Sequence, residues 1–190
     1  MGQLLVQMSM SLDGFIAGPN PAPDNPLGTH GLRLHEWYEA PGDHDFGKDI
    51  EGDTGAVIMG SVMYYERLPW WHGTGPLGDN VPCFVLAEKG HEPTNAASVF
   101  TVVTEGIEEA LRLAKVAAGD KDVLINGGAN TIQQYIKAGL VDGLYIHIVP
   151  ILLGGGTNLF GALGEYIELD KVSVYDEPEV THLTYRFKRK

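Results

Sequence analysis

The plainest chemical signal in this 190-residue chain is a pair of glycine-bearing breaks, each set between an apolar run and a helical pattern. Asn126-Gly127-Gly128 follows Val123-Leu124-Ile125 and precedes Ile132, Tyr135, Ile136 and Leu140, one apolar stripe at helical spacing. Residues without Cβ at a strand end let a phosphate approach the backbone, and the next helix offers N–H groups that lack intrahelical partners. A strand, a glycine pair and a helix in that order can therefore cradle a pyrophosphate. The same residues also make an ordinary turn, and both readings stand at this point. The pattern is neither G-x-G-x-x-G nor a Walker A loop. Ala56 to Gly60, followed by Ser61 to Arg67, repeats the arrangement, with Ser61 as the expected helix N-cap.

Carboxylates supply the second signal. Asp13 sits between glycine-softened turns after a strand expected over Leu4–Met10, where α/β proteins place their sites. It is a candidate site acid or orienting group, or else an Asx-turn residue bonding its own backbone. Glu36, on a short helix expected from Leu32 to Tyr38, either faces a pocket or is solvated. His44, Asp45 and Asp49 match no metal-ligand spacing and read as polar surface. A long loop from Pro69 to Pro82 carries Trp70, Trp71 and His72, and is either a binding rim or a plug at the domain's edge.

The elements that must position these groups alternate along the chain. Strands are expected at Cys83–Ala87 and Ser98–Val103, and a helix after Thr104, taken as its cap, ends at Gly119. Gly139 ends the helix that follows Gly128, and Leu144–Val149 is a strand running on through Pro150 to Gly154-Gly155-Gly156. The tail from Ile167 to Lys188 reads as two strands around Asp176–Glu179. There His182, Thr184 and Arg186 alternate with Leu183, Tyr185 and Phe187, which predicts one wet face. The sum is one α/β domain over residues 1–190, a mostly parallel central sheet flanked by helices with a C-terminal antiparallel hairpin.

Bulk composition narrows the partners. A formal net charge of −12 disfavours nucleic acid and anionic membrane surfaces, and requires any polyanionic cofactor to be held by backbone N–H groups and a few local cations. Cys83 is the single cysteine, which excludes an intrachain disulfide and a cysteine-based zinc site. With no signal-like N-terminus and no long apolar span, a cytoplasmic location is expected.

Four separated motifs then coincide: Met10-Ser11-Leu12-Asp13-Gly14-Phe15-Ile16-Ala17, Ile58-Met59-Gly60, Leu124-Ile125-Asn126-Gly127-Gly128 and Pro150-Ile151-Leu152-Leu153-Gly154-Gly155-Gly156. In this order, over nearly the whole chain, the sequence resembles the dihydrofolate reductase-like proteins. Within them it is most similar to the reductase domain of the bifunctional deaminase-reductase of riboflavin biosynthesis. The resemblance implies hydride transfer from a nicotinamide dinucleotide, normally NADPH, to a small carbonyl, imine, pterin or pyrimidine-like substrate. It also implies a homodimer, to which the apolar surplus of Leu144–Leu153 adds a reason.

By the same resemblance, Ile16, Ala17 and Gly18 would lie against the nicotinamide. Gly60, Ser61, Val62 and Met63 would hold phosphates, and Leu86, Ala87 and Glu88 would border the adenosine. Gly127, Gly128, Ala129 and Asn130 would cradle the pyrophosphate, while His147 and Leu153-Gly154 would approach nicotinamide or substrate. Asp13 is the first candidate proton source, with His147 and Glu36 behind it. The sequence also departs from the pattern. Ser61 stands where many relatives carry an arginine for the extra phosphate of NADPH, and Glu88 stands near the adenosine end, so NADH is an alternative, with Lys89, Arg67 or His91 as substitute cations. The H-x-E and P-C-x-x-C pattern of the zinc deaminase half is absent, Pro82-Cys83 being only a fragment. A stand-alone reductase-like domain is therefore expected. The rival readings are a dinucleotide-binding protein without turnover and a flavin-binding module.

Overall fold

The structure is a computed structural model that describes residues 2–22, 24–39, 53–67, 71, 74–90, 99–161 and 163–188. His44, Asp45, Asp49, Trp70, His72 and His91 lie outside the described residues. The main sheet has eight strands: β1 (Leu4–Ser11), β3 (Thr54–Gly60), β4 (Cys83–Leu86), β5 (Phe100–Val103), β6 (Asp122–Ile125), β7 (Gly143–Val149), β9 (Leu169–Glu177) and β10 (Val180–Phe187). Their order across the sheet is β5-β4-β3-β6-β1-β7-β10-β9. The first six are parallel, and β10 and β9 close one edge antiparallel. A second, two-stranded sheet pairs β2 (Phe15–Ala17) with β8 (Thr157–Asn158).

The central strands are apolar on both faces because both faces are covered. Val123 and Ile125 of β6 join Leu4, Val6 and Ile58 in the largest core cluster, while Leu124 packs with Leu5 on the other side. Helices α2 (Ile107–Ala118) and α3 (Ala129–Lys137) press Ala110, Ala114, Ile132, Tyr135 and Ile136 into that core. Each large aliphatic side chain so buried contributes about 1.5–3 kcal/mol. The Tyr135 hydroxyl donates to the Ile107 carbonyl at 2.8 Å, fixing the start of α2 against α3. On the opposite face α1 (Ser61–Arg67) buries Tyr64 against Phe100, Val57 and Met59. Trp71 stacks on Phe100 at that edge, so of the two readings of the tryptophan loop, Trp71 fits the plug.

Several local expectations are corrected. Ser61 is the first residue of α1 rather than its cap. Gly106, at φ 101°, is the N-cap of α2, while Thr104 lies outside the helix with its N–H on the Glu105 carboxylate. A glycine can hold that backbone angle and a threonine resists it. The segment expected as a short helix is two 3₁₀ turns, Gly31–Leu34 and Glu36–Glu39. Leu34 ends the first turn and Trp37 lies in the second, and both are buried in one cluster with Val149 and Val180. The wet face expected on β10 is dry at His182 and Thr184 and wet only at Arg186. The Leu144–Val149 run is an interior strand between β1 and β10, so most of its apolar surplus is used in the core. Among the described residues no helix is long and apolar enough to cross a membrane.

Candidate functional site

A cleft of about 880 Å³ opens over the carboxyl ends of β1, β3, β4 and β6 and the segments that follow them. Open α/β sheets bind ligands in this position. One half of the cleft is made of backbone. Gly127 has φ 110°, and a Cβ there would stand 2.8 Å from Met63 Sδ. A Cβ on Gly60 would stand 2.5 Å from Thr131 Oγ1, so the two glycine breaks are pressed together. The Gly60 N–H donates to the Gly127 carbonyl at 3.0 Å and locks them. Helix α3 begins at the N-cap Gly128 and α2 at the N-cap Gly106, neither with a side-chain cap bond, and both ends line the cleft. Their N–H groups and the positive ends of both helix dipoles therefore face the same space. A Cβ on Gly128 would meet nothing within 4 Å, so the backbone there is bare to a ligand. Such a surface is able to hold a phosphate group.

The other half is made of side chains. Gln7 and Ser9 project from β1, Trp37 from the second 3₁₀ turn and His147 from β7. The Trp37 indole N–H donates to Ser9 Oγ at 3.1 Å, and its ring lies 4.9 Å from that of His147. His147 is buried to 1% exposure, with Nε2 3.2 Å from the Gln7 amide nitrogen and Nδ1 2.6 Å from Nδ1 of His182. Burial first, then His182 and His35, push the His147 imidazole down to about 3, so it is neutral at pH 7. His35, also lining the cleft, is pushed down to about 4 by burial and by Arg67. Behind His147, His182 is fully buried, and its Nε2 is 3.3 Å from a Glu177 carboxylate oxygen. Among the described residues no three histidines, cysteines or carboxylates group as a metal site.

The sequence model of the RibD C-terminal domain family matches residues 3–183. The chain belongs to that family. It is 26% identical over 159 residues to YwjB of Bacillus subtilis, an uncharacterized protein, covering 84% of this chain and 83% of that one. A second uncharacterized protein of that species, YyaP, is 25% identical over 171 residues, covering 90% and 87%. Among solved structures, a candidate riboflavin biosynthesis protein from Shewanella sp. PV-4 superposes with a TM-score of 0.76 at 25% identity, covering 98% of this chain and 99% of that one. RibD of Acinetobacter baumannii gives a TM-score of 0.65 at 16% identity, and the chain spans 59% of its length. Dihydrofolate reductase from Enterococcus faecalis, solved with NADP(H), gives 0.63 at 19%, covering 99% and 98%. The fold is dihydrofolate reductase-like.

In this RibD C-terminal domain the cleft gathers most of the residues singled out from the sequence. Ile16 and Ala17, Gly60 to Met63, Leu86 to Glu88, Gly127 to Asn130 and His147 all line it. Gly18, Leu153, Gly154, Asp13 and Glu36 do not. Gly18 packs its Cα against the Thr29 carbonyl, so close that a Cβ would be 1.9 Å from that oxygen. The Asp13 carboxylate accepts from Ser11 Oγ at 2.5 Å and from the N–H groups of Leu153 and Gly154 at 3.1 and 2.7 Å. Ser11 first, and those amides after it, hold its carboxyl below the usual range, so it is an ionised strap between the end of β1 and the 153–156 turn. Glu36 is half-exposed and ion-paired with Arg33.

Sequence reasoning missed Gln7, Ser9, Trp37, Thr104 and Gly106 of the cleft, and the His182–Glu177 pair behind it. For Gln7 and Ser9 a signal existed, since polar residues at alternate positions of an otherwise buried strand share one face. For the β10 histidine the alternation was visible but pointed to solvent.

Proposed function

We propose that this RibD C-terminal domain is a reductase that uses NADPH or NADH to reduce a small carbonyl, imine or pyrimidine-like acceptor. The reading rests above all on one observation: two uncapped helix starts converge on a glycine-floored cleft in a chain of net charge −12. Such a chain disfavours a polyanion except where backbone dipoles or a local cation compensate, and Arg67 lines the same cleft. The family membership and the NADP(H)-bound dihydrofolate reductase of the same fold support the choice of ligand. When bound, the nicotinamide supplies hydride. The amides of Gly128 to Asn130 would hold the diphosphate, and Ile16 and Ala17 would flank the ring.

Leu153 and Gly154 act at one remove, their amides pinned by Asp13 so that β8 stays paired with β2 beside the ring. The proton-donating role passes from Asp13, engaged elsewhere, and from Glu36, at the surface, to His147. Glu88, exposed at the cleft's far end, favours a free ribose hydroxyl over a phosphate, so both cofactors belong in the test.

Trp37, inside the cleft, is a built-in reporter. Titration with NADPH or NADH quenches tryptophan fluorescence with a dissociation constant in the micromolar range, and a panel of carbonyl and pyrimidine acceptors yields at least one that oxidises the bound cofactor. Quenching without oxidation across the panel would leave a dinucleotide-binding protein. No quenching by either cofactor would remove the reading.

A further inference from the structure

The contacts behind His147 form a continuous line that a dinucleotide site does not require. Antiparallel register sets His147 of β7 beside His182 of β10, whose neighbour on β9 is Tyr175. Glu177, two residues beyond Tyr175, brings its carboxylate to within 3.3 Å of His182 Nε2. Gln7, His147, His182 and Glu177 thus follow one another, and only Gln7 and His147 reach the cleft. Trp37 covers both rings at 4.9 and 5.1 Å, and Tyr175 stacks on His182 at 6.0 Å. Among the described residues, the titratable or charged groups facing the pair include Glu177 and Tyr175 on β9 and, beyond His147, His35 on the 3₁₀ segment.

Two facing Nδ1 atoms at 2.6 Å require one hydrogen between them, and with His147 neutral and an Nε2–H on His182 toward the Glu177 carboxylate two arrangements remain. In the first both rings are neutral. The Gln7 amide donates to His147 Nε2, His147 Nδ1–H donates to His182, and His182 keeps its hydrogen on Nε2, facing the Glu177 carboxylate oxygen 3.3 Å away. In the second, His182 is an imidazolium facing the Glu177 carboxylate, its Nδ1–H donates to His147, and His147 carries its own hydrogen on Nε2, toward the cleft, with the Gln7 amide turned so that its oxygen accepts it. His147 is neutral in both, as its depressed basicity demands.

We propose that the Glu177–His182 pair stores the proton that the acceptor takes up and that His147 passes it on through Nε2, a purpose resting on the reductase reading above. The step balances. Once the acceptor has received hydride from the reduced nicotinamide, its heteroatom carries an electron pair. The Nε2–H bond of His147 breaks as a bond from hydrogen to that heteroatom forms. The Nδ1–H bond of His182 breaks as one forms on His147 Nδ1. The second arrangement becomes the first, one proton has left, and Glu177 keeps its charge throughout. A cleft water that protonates His147 Nε2 after product departs runs the same sequence backwards and reloads the store. His182 and Glu177 are thus positioning residues acting through His147.

The test needs no identified substrate. Long-range proton–nitrogen NMR of the ¹⁵N-histidine-labelled full chain, titrated from roughly pH 9 to pH 5, reads the tautomer of each ring. Protonation of His182 is expected to switch His147 from the Nδ1–H to the Nε2–H form with the same midpoint. Glu177→Gln moves both midpoints down together by about one pH unit or more, and Glu177→Asp restores most of the difference. A His147 tautomer that ignores the state of His182, or a midpoint unmoved by Glu177→Gln, overturns the proposal.

With any acceptor that turns over, Glu177→Gln shifts the alkaline limb of kcat by the same amount and leaves the NADPH dissociation constant within about twofold, since the pair lies outside the cleft. Fluorescence titration of the wild type separates the two readings. Absence of NADPH binding strikes the reductase assignment, whereas the tautomer switch stands or falls on the NMR alone.

Discussion

The two halves of the cleft are built on different principles. At the glycine end, main-chain geometry makes the surface: Gly60 and Gly127 interlock, and two helices begin without side-chain caps. At the histidine end the backbone is strand apart from the 3₁₀ turn that carries Trp37, and the surface comes from side chains that meet across long stretches of sequence. His147 touches His182 across 35 residues and Gln7 across 140. The first half suits a ligand part common to many substrates, a phosphate chain, while the second can change its specificity by changing side chains. That division predicts which substitutions act on the backbone half, which on the side-chain half, and how strongly.

The largest effect is expected at Gly127→Ala. A left-handed backbone angle and a methyl 2.8 Å from Met63 Sδ combine to cost roughly 2–5 kcal/mol in urea unfolding, and the NADPH dissociation constant rises at least tenfold. If stability falls while affinity holds, the backbone half does not form the cofactor cradle. Next comes His35→Asn. In the native state His35 is held neutral down to about pH 4, while in the unfolded chain it takes up a proton near pH 6.5. The unfolded state therefore gains protons first as pH falls, and the native state loses stability between those values. Removing the histidine flattens that slope by on the order of 2 kcal/mol, after allowing for its partial exposure, in melts at pH 7 and pH 4.

Trp37→Phe keeps the ring but loses the bond to Ser9, which lowers stability by about 1 kcal/mol and alters acceptor KM more than NADPH affinity. For Asp13 the pKa is depressed, so its contribution is present above about pH 4 and fades as pH falls through the lowered native value. Melting curves of Asp13→Asn and wild type should accordingly converge in that acid window. Glu36→Gln, at a half-exposed surface pair, should change stability by less than about 0.5 kcal/mol and leave cofactor binding alone.

The same division explains what could be read from the sequence. Strand, glycine pair and helix are neighbours in the chain, so β6, Gly127-Gly128, α3 and its stop at Gly139 were legible from spacing alone. The hairpin around Pro178-Glu179 was equally local. His182 was not legible, because alternation with Leu183 and Tyr185 is the ordinary mark of a solvent face, and only pairing with β7 turns that face inward. Nor did the sequence place Trp37, whose burial comes from packing with Leu34, Val149 and Val180 across the fold. Thr104 shows the opposite error: a good capping side chain stands two residues before the cap, and the angle at Gly106 decides where the helix starts.

A crystal structure with bound NADPH tests the central claim most directly. The account predicts the diphosphate against the amides of Gly128 to Asn130 and the nicotinamide beside Ala17, with His147 Nε2 facing the vacant acceptor position. A cofactor seated outside this cleft, or one that leaves the helix starts bare, would contradict it.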